Sequence, residues 1–281
     1  MFVMQKYAVD GERGTGHGGA TPVHTLFDAE VAEELDSRRL SRVAAGLLGA
    51  LSVRNFFTEG ECRAIVASLA EDRMGQYDAA VVGMRIKKLG PAVFDFYNNG
   101  SVADAYWEQA AEATRQRARL LAGQDPFQAA LDRLAKAWHG GAAVATAGGR
   151  PLFAGMFREM GEGAGLHFDE VEREFPDGLD ETPLCQLAFN CYLSVPESGG
   201  EVTVFRRRWR PGDENHRDGY WYRPHLVADE PRVTVAPRCG DAVFFDPRNY
   251  HRVGANEGGG RRVTLSFFIG VSAHGNLLLW S

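Results

Sequence analysis

The spacing of apolar and polar residues changes near residue 150 of this 281-residue chain. Beyond that point, short apolar runs recur between Gly, Pro and Asp residues, which is the pattern of a series of β-strands. The predicted strands cover residues 152–158, 166–168, 186–195, 201–205, 232–235, 242–245, 263–271 and 277–280. The second half of the chain is therefore expected to be all β.

The first half of the chain has apolar residues at helical spacing. Thr58 and Glu61 match a capping box, and residues 62, 65, 66 and 69 behind them form one apolar face. Residues 103–121 are rich in Ala, and Pro126 occupies the first position of a further helix. These segments predict three helices, to which residues 26–50 are expected to add one or two.

Helices followed by strands indicate an α+β arrangement, in which helices cover one face of a sheet that curls into a sandwich or barrel. We expect a single domain over residues 1–281. Within it, residues 1–24 are polar and Gly-rich and are expected to form a mobile arm. Residues 25–150 would be mainly helical support, with a strand at 51–57, and residues 151–281 would form the β core.

One strand-like stretch, Gly165-Leu166-His167-Phe168-Asp169, ends with two metal-ligating side chains. Side chains alternate along a strand, so His167 and Asp169 share one face while Phe168 turns toward the core. An imidazole and a carboxylate are two ligands of the 2-His-1-carboxylate triad, which binds Fe(II) and leaves positions open. A second pair, His216 and Asp218, lies in a polar, turn-rich stretch that would not fix ligand orientation, and it is disfavoured.

We predict that His251, which follows a strand and a turn, is the third ligand. A half-exposed loop histidine is the alternative interpretation. A Gly-rich loop then leads to a strand on which Arg262 and Thr264 share one face. An arginine among apolar neighbours is costly to bury unless it meets an anion, and a guanidinium beside a hydroxyl suits a carboxylate.

The ordered set of His167, Asp169, His251, Arg262 and Thr264 resembles the Fe(II)/2-oxoglutarate-dependent dioxygenases. The stretches 88–92, 189–194 and 199–205 are similar to a subgroup of small bacterial oxygenases that hydroxylate N-substituted amino acids or halogenate alkaloids. This resemblance implies a double-stranded β-helix core, the jelly-roll or cupin-like fold, with the N-terminal helices on one face. It also implies Fe(II) on the triad, 2-oxoglutarate bound to the iron and paired with Arg262 and Thr264, and O2 as co-substrate.

The residue at position 169 separates two outcomes within the resemblance. Halogenating relatives have Gly or Ala there, which vacates a site for chloride, whereas this chain has Asp169. The resemblance therefore implies hydroxylation of an unactivated C–H bond in a small molecule, such as an amino-acid derivative or natural-product intermediate. Desaturation, epimerisation or cyclisation by the same chemistry stays open. So do a non-catalytic cupin-like binding protein and a zinc or manganese hydrolase, although neither explains the Arg-x-Thr pair.

Further candidates lie on neighbouring strands and loops. Asn190 and Tyr192 share a strand face and are candidates for hydrogen bonds to 2-oxoglutarate, unless that face points outward. Candidate substrate contacts are Arg158, Arg206 and Trp209. Residues 170–185 form an acidic segment that is either a lid over the site or a solvated insertion.

Composition limits the partners and the compartment. The net charge of −6 disfavours nucleic-acid backbones and anionic membranes as partners. The four Cys lie at no metal-binding spacing and are expected to be reduced thiols, which favours the cytoplasm. We expect no signal peptide and no membrane span.

Overall fold

The computed structural model describes residues 26–69, 74–76, 85–98 and 100–281. The predicted arm at 1–24 lies outside the described residues. The α-helices are α1 Ser37–Ala44, α2 Glu59–Ser68, α3 Asp104–Arg117, α4 Pro126–Ala137 and α5 Val171–Glu174, and three 3-10 turns cover Val93–Phe96, Pro211–His216 and Pro224–Val227. The capping box is confirmed, because Thr58 accepts from the backbone of Glu61 and the Glu61 carboxylate accepts from the backbone of Thr58.

The largest sheet has ten strands and is mainly antiparallel. Its members are β1 Asp28–Ala32, β2 Leu48–Val53, β3 Gly75–Gln76, β4 Ile86–Leu89, β7 Ala142–Val144, β10 Met156–Met160, β12 Cys185–Ser194, β18 Ala242–Phe245, β21 Val263–Val271 and β22 Leu277–Trp280. The main path of the sheet runs β1-β2-β18-β12-β21-β10-β4-β3, and β22 joins β21 to β7.

A second sheet faces the first. It consists of β11 Ala164–His167, β14 Val202–Arg208, β15 Arg217–Asp218, β16 Trp221–Tyr222, β17 Arg232–Val235 and β19 Asn249–Val253, in the order β15-β16-β11-β19-β14-β17. Three short ladders pair β5 Tyr97–Asn98 with β6 Ser101–Val102, β8 Thr146–Ala147 with β9 Arg150–Pro151, and β13 Ser198–Gly199 with β20 Asn256–Glu257. The two larger sheets enclose a cavity, which confirms the predicted jelly-roll core.

The large sheet separates the helices from the cavity. On its outer face, Phe189 of β12 stacks on Phe267 of β21 at 4.3 Å between ring centroids, and Phe267 meets Phe127 of α4 at 5.5 Å. On its inner face lie Asn190 and Tyr192, because side chains alternate along β12. The prediction that helices cover one face is thereby confirmed.

The first half differs from its prediction because it also supplies strands. Residues 26–50 form β1, one helix and the start of β2, and the predicted strand at 51–57 lies earlier, at Leu48–Val53. Every residue of β2 is buried, so this central strand has no alternation to distinguish it from a buried helix. None of the helices in the described ranges is both long and apolar enough to cross a membrane.

Candidate metal centre

Two neighbouring strands of the second sheet bring the candidate ligands together. His167 ends β11 and pairs in register with His251 in β19, so that the ring centroids lie 4.1 Å apart. Asp169 follows two residues later, and its backbone N–H donates to the carbonyl of Pro247 at 2.9 Å. The ligand atoms of His167, Asp169 and His251 all lie within 4.8 Å of one another.

Backbone contacts fix which nitrogen of each imidazole faces the centre. Nδ1 of His167 lies 2.8 Å from the carbonyl oxygen of Gly165, and Nδ1 of His251 lies 2.9 Å from that of Asn249. A carbonyl oxygen only accepts, so each Nδ1 is the protonated nitrogen and each Nε2 presents a lone pair. Nε2 of His251 is 3.4 Å from Oδ2 of Asp169. Two adjacent ligands of one metal ion, each about 2.1 Å from it, are separated by about 3 Å, so this donor set fits a metal ion.

The environment keeps both kinds of ligand in their metal-binding protonation states. Burial, followed by the neighbouring ring of His251, lowers the pKa of His167 to about 4. Burial alone would raise the pKa of Asp169, but the contact with His251 and the charge of nearby groups outweigh it and hold that pKa at about 2. Near pH 7 the site therefore offers a neutral imidazole and an ionised carboxylate, as coordination requires.

Arg262 lines the same cavity and is only 2% exposed. Its Nε donates to the carbonyl of Gly200 at 3.2 Å, and its guanidinium carbon lies 5.1 Å from the ring centroid of Tyr192. Its Nη1 has no hydrogen-bond partner among the described residues. Gly200 has φ +74°, and a Cβ there would lie 3.0 Å from Cδ of Arg262. A buried cation with an open donor in a cavity fits a carboxylate ligand.

The polar residues predicted around Arg262 occupy adjacent register positions. Tyr192 pairs with Thr264, and Asn190 pairs with Ser266, across β12 and β21. Asn190, Tyr192 and Ser266 line the cavity, whereas the buried Thr264 hydroxyl lies 3.0 Å from that of Ser266 and is within hydrogen-bond distance of it. The structure therefore adds Ser266 to the predicted residues, and Thr264 contacts Ser266 without lining the cavity itself.

The candidate substrate residues separate into two groups. Arg158 of β10 lines the cavity. Arg206 is exposed, with one contact to the carbonyl of Leu26 at 3.5 Å, and Trp209 donates to Glu214 in a separate surface cleft. Arg206 and Trp209 do not line the central cavity. The disfavoured ligand His216 packs edge-on against His225, outside the ligand cluster.

Comparisons with known proteins agree with this geometry. The family model described as carrier-protein-independent halogenase WelO5 matches residues 25–281. The chain belongs to the WelO5 family. The L-gamma-glutamyl-L-propargylglycine hydroxylase of Streptantibioticus cattleyicolor is 42% identical over 94% of this chain and 99% of its own length. The leucinostatins biosynthesis cluster protein S of Purpureocillium lilacinum is 32% identical over 43% of this chain and 53% of its own length.

A solved structure extends the agreement to the fold. The N-substituted L-amino acid dioxygenase of Burkholderia ambifaria, in complex with alpha-KG, has a TM-score of 0.58 at 12% identity, covering 87% of this chain and 90% of that chain. The predicted resemblance to this superfamily and to its hydroxylase and halogenase subgroup is thus confirmed. Although the WelO5 family is named for a halogenase, this member has Asp169 among its ligands and a hydroxylase as a full-length relative.

Several cavity residues of this WelO5-family protein were missed from sequence. Tyr220 and Trp221, at the tip of the β15–β16 hairpin, lie 6.1 Å and 5.2 Å from the His167 ring between centroids. Phe94 and Asp95 enter the cavity from a 3-10 turn. The run Tyr220-Trp221-Tyr222 was a usable signal, because a cluster of aromatic residues in a polar loop is unusual.

The segment at 170–185 forms hydrogen bonds and packing contacts with the neighbouring structure. The backbone N–H of Val171 donates to the Gln186 side chain at 2.9 Å, and Phe175 packs edge-on against Tyr97 at 4.7 Å. The Asp180 carboxylate accepts from the backbone of the neighbouring 148–149 turn. A lid role for this segment stays a prediction.

Proposed function

We propose that the protein is an Fe(II)- and 2-oxoglutarate-dependent dioxygenase that hydroxylates an unactivated C–H bond of a small amino-acid derivative. His167, Asp169 and His251 would hold the iron. Arg262 would bind the far carboxylate of 2-oxoglutarate, with Ser266, Asn190 and Tyr192 around it and with the Thr264 hydroxyl in contact with that of Ser266. The relative that hydroxylates a γ-glutamyl amino acid supports this substrate class.

One observation supports the 2-oxoglutarate requirement more than any other. Arg262 is buried with its Nη1 unsatisfied, in the same cavity as the three metal ligands. A binding protein or a metal hydrolase built on the triad would have no use for a buried guanidinium, whose burial is unfavourable without an anionic partner. A dicarboxylate that spans the metal and the guanidinium satisfies both ends.

The chain's own residues prepare the site for oxidation. When bound, Fe(II) would supply the oxidative chemistry for a C–H bond, with O2 as the oxidant and with 2-oxoglutarate converted to succinate and CO2. The backbone carbonyls of Gly165 and Asn249 hold both imidazoles in one orientation. Tyr220 and Trp221 lie beside His167, where they would limit the access of water to that side of the site.

Asp169 favours hydroxylation over halogenation because its carboxylate occupies the position that a halide would need. Desaturation, epimerisation and cyclisation differ from hydroxylation only in the later fate of the substrate. The product mass separates hydroxylation from all three, since only hydroxylation adds one oxygen.

Anaerobic titration with Fe(II) and 2-oxoglutarate tests the proposal, with the visible metal-to-ligand absorption band as the readout. We expect a band in the wild type, none in His167→Ala, and a band that needs far more 2-oxoglutarate in Arg262→Ala. His216→Ala is the matched control, because it removes the histidine of the other His-x-Asp pair and should leave the band unchanged. A wild type that shows no band with both ligands in excess would refute the proposal.

We also propose that the protein acts in the cytoplasm, without a nucleic-acid or membrane partner. The four cysteines are free thiols, as expected in a reducing compartment. The net charge of −6 opposes binding to polyanions.

A further inference from the structure

We propose that the outer end of the cavity binds the zwitterionic head of a free α-amino acid, with Arg158 on its carboxylate and Asp95 on its ammonium group. This inference rests on the proposed function, because it places the substrate beside the predicted iron. It adds a requirement that a substrate without a free α-amino-acid head would not meet.

Arg158 lies on the inner face of the large sheet. It pairs with Thr264 on one side and with Lys88 on the other, and residues opposite each other in antiparallel strands share a face. Its Nε contacts Sδ of Met156 at 3.3 Å, and no carboxylate of the described residues forms an ion pair with it. A half-buried guanidinium that lines a cavity and has no ion pair with a described carboxylate predicts an anionic ligand there.

The two cavity arginines serve different parts of the site. The positive charge of Arg158 acts on Lys88 and on the ligands His167 and Asp169. It also acts on the carboxyl of Glu174, whose pKa is raised well above its usual value by burial and by Asp169. The charge of Arg262 acts instead on Tyr192, whose ring lies under its guanidinium. If Arg262 binds 2-oxoglutarate, Arg158 remains available to a second carboxylate on the substrate side of the metal.

Asp95 supplies the opposite charge. It lines the cavity from the 3-10 turn Val93–Phe96, next to Phe94, and Nζ of Lys88 donates to its Oδ2 at 2.8 Å. This ion pair is largely shielded, with side-chain exposures of 15% for Lys88 and 28% for Asp95. Lys88 thereby fixes one carboxylate oxygen of Asp95, while no hydrogen bond within the described residues reaches its Oδ1.

An open cation and an open carboxylate oxygen at one end of a cavity match a zwitterion. The Asp95 carboxylate would accept from the ammonium group, and the ring of Phe94 would provide an additional face for that cation. An N-acyl group removes the positive charge and leaves Asp95 without its partner, which is a penalty against the blocked substrate. With the head group at Arg158 and Asp95, the amino-acid side chain extends toward His167 and is the part that is oxidised.

The test compares free and blocked probes. The protein with Fe(II), 2-oxoglutarate and air is given proteinogenic L-amino acids and L-γ-glutamyl-L-propargylglycine. Each probe is also supplied with an N-acetyl group on the α-amine, or with a primary amide in place of the α-carboxylate. Succinate and product mass are measured. We expect turnover of free probes, and a kcat/KM about 10- to 100-fold lower for either blocked form, because each loses one charge-assisted hydrogen bond.

Two variants assign the ends of the head group. For Arg158→Gln, the kcat/KM of the free carboxylate probe divided by that of its amide should fall toward one. For Asp95→Asn, the kcat/KM of the free amine probe divided by that of its N-acetyl form should fall toward one. A merely structural role would lower all kcat/KM values together and leave these ratios unchanged. Arg206→Gln and Asp132→Asn are matched controls on the surface, and both ratios should stay at their wild-type values.

The outcomes are distinguishable from failure of the proposed function. Wild-type ratios near one, turnover of blocked forms alone, or no turnover of any free probe would overturn the inference. It would also fail if Arg158→Gln raised the Kd of 2-oxoglutarate as much as it lowered turnover, since Arg158 would then serve the cosubstrate. Absence of the anaerobic absorption band in the same preparation would instead refute the oxygenase itself.

Discussion

Replacing Arg262 with Met should leave the cosubstrate-free protein at least as stable as the wild type. The variant should be stabilised very little by added 2-oxoglutarate. Methionine keeps an unbranched side chain of similar length but removes the charge. The guanidinium of Arg262 is 2% exposed and its Nη1 has no partner among the described residues. Desolvation of such an ion opposes folding by several kcal/mol.

Two favourable contacts of Arg262 offset this penalty. Its hydrogen bond to Gly200 is worth about 1.5–3 kcal/mol, and its position over the Tyr192 ring about 0.5–2 kcal/mol. The terms nearly cancel, so we expect Arg262→Met to change the free energy of unfolding by no more than about 2 kcal/mol, in the direction of greater stability. For a chain of this size that is a rise in Tm of up to about 3 °C.

Ligand-induced stabilisation should separate the two proteins. At 100 times its wild-type Kd, with Fe(II) and without O2, 2-oxoglutarate stabilises the wild type by about 2.7 kcal/mol. Loss of the charge-assisted contacts should weaken binding about 100-fold, which leaves the variant only about 0.4 kcal/mol at that concentration. Thermal unfolding followed by circular dichroism, with and without ligand, measures both effects.

Arg117 is the matched control. It is 4% exposed, like Arg262, but it pairs with Asp125 at 2.8 Å and donates to the carbonyls of Ala154 and Gly155. Arg117→Met should therefore lower the free energy of unfolding by about 3–5 kcal/mol, since the largely buried Asp125 is left unpaired. Our interpretation would be wrong if Arg262→Met lost as much unfolding free energy as Arg117→Met and was still stabilised by 2-oxoglutarate like the wild type. Arg262 would then have a structural role.

Three further predictions concern the same site. Gly200→Ala should weaken 2-oxoglutarate binding at least about 10-fold, measured from the absorption band, because φ is +74° there and a Cβ would lie 3.0 Å from Cδ of Arg262. Asp169→Gly should abolish hydroxylation and make the Fe(II) spectrum respond to added chloride, since one coordination position is vacated; a chloride-insensitive spectrum would contradict this. In the metal-free protein, the pKa of His167 is about 4 when folded against 6.5 as its ordinary value, so the unfolded chain binds more protons between these values. Urea midpoints should therefore fall from pH 6.5 toward pH 4 more steeply in the wild type than in His167→Gln.

Local sequence determined the features that depend on one element. Alternation along a strand placed His167 and Asp169 on one side, and helical spacing with a capping box placed the start of α2 at Glu59. The apolar environment of Arg262 predicted its need for an anion, and the structure places it in the cavity with an open donor. These inferences succeeded because side-chain direction within a strand or helix follows from backbone geometry alone.

Tertiary structure decided everything that depends on pairing between distant segments. The register of β11 against β19 puts His251 opposite His167, and the register of β21 against β12 puts Ser266 beside Asn190. The position of Asp95, held by Lys88 near Arg158, depends on β4 joining β10. Sequence patterns do not specify strand register across long separations, because many registers bury the same apolar face and only the complete fold selects one.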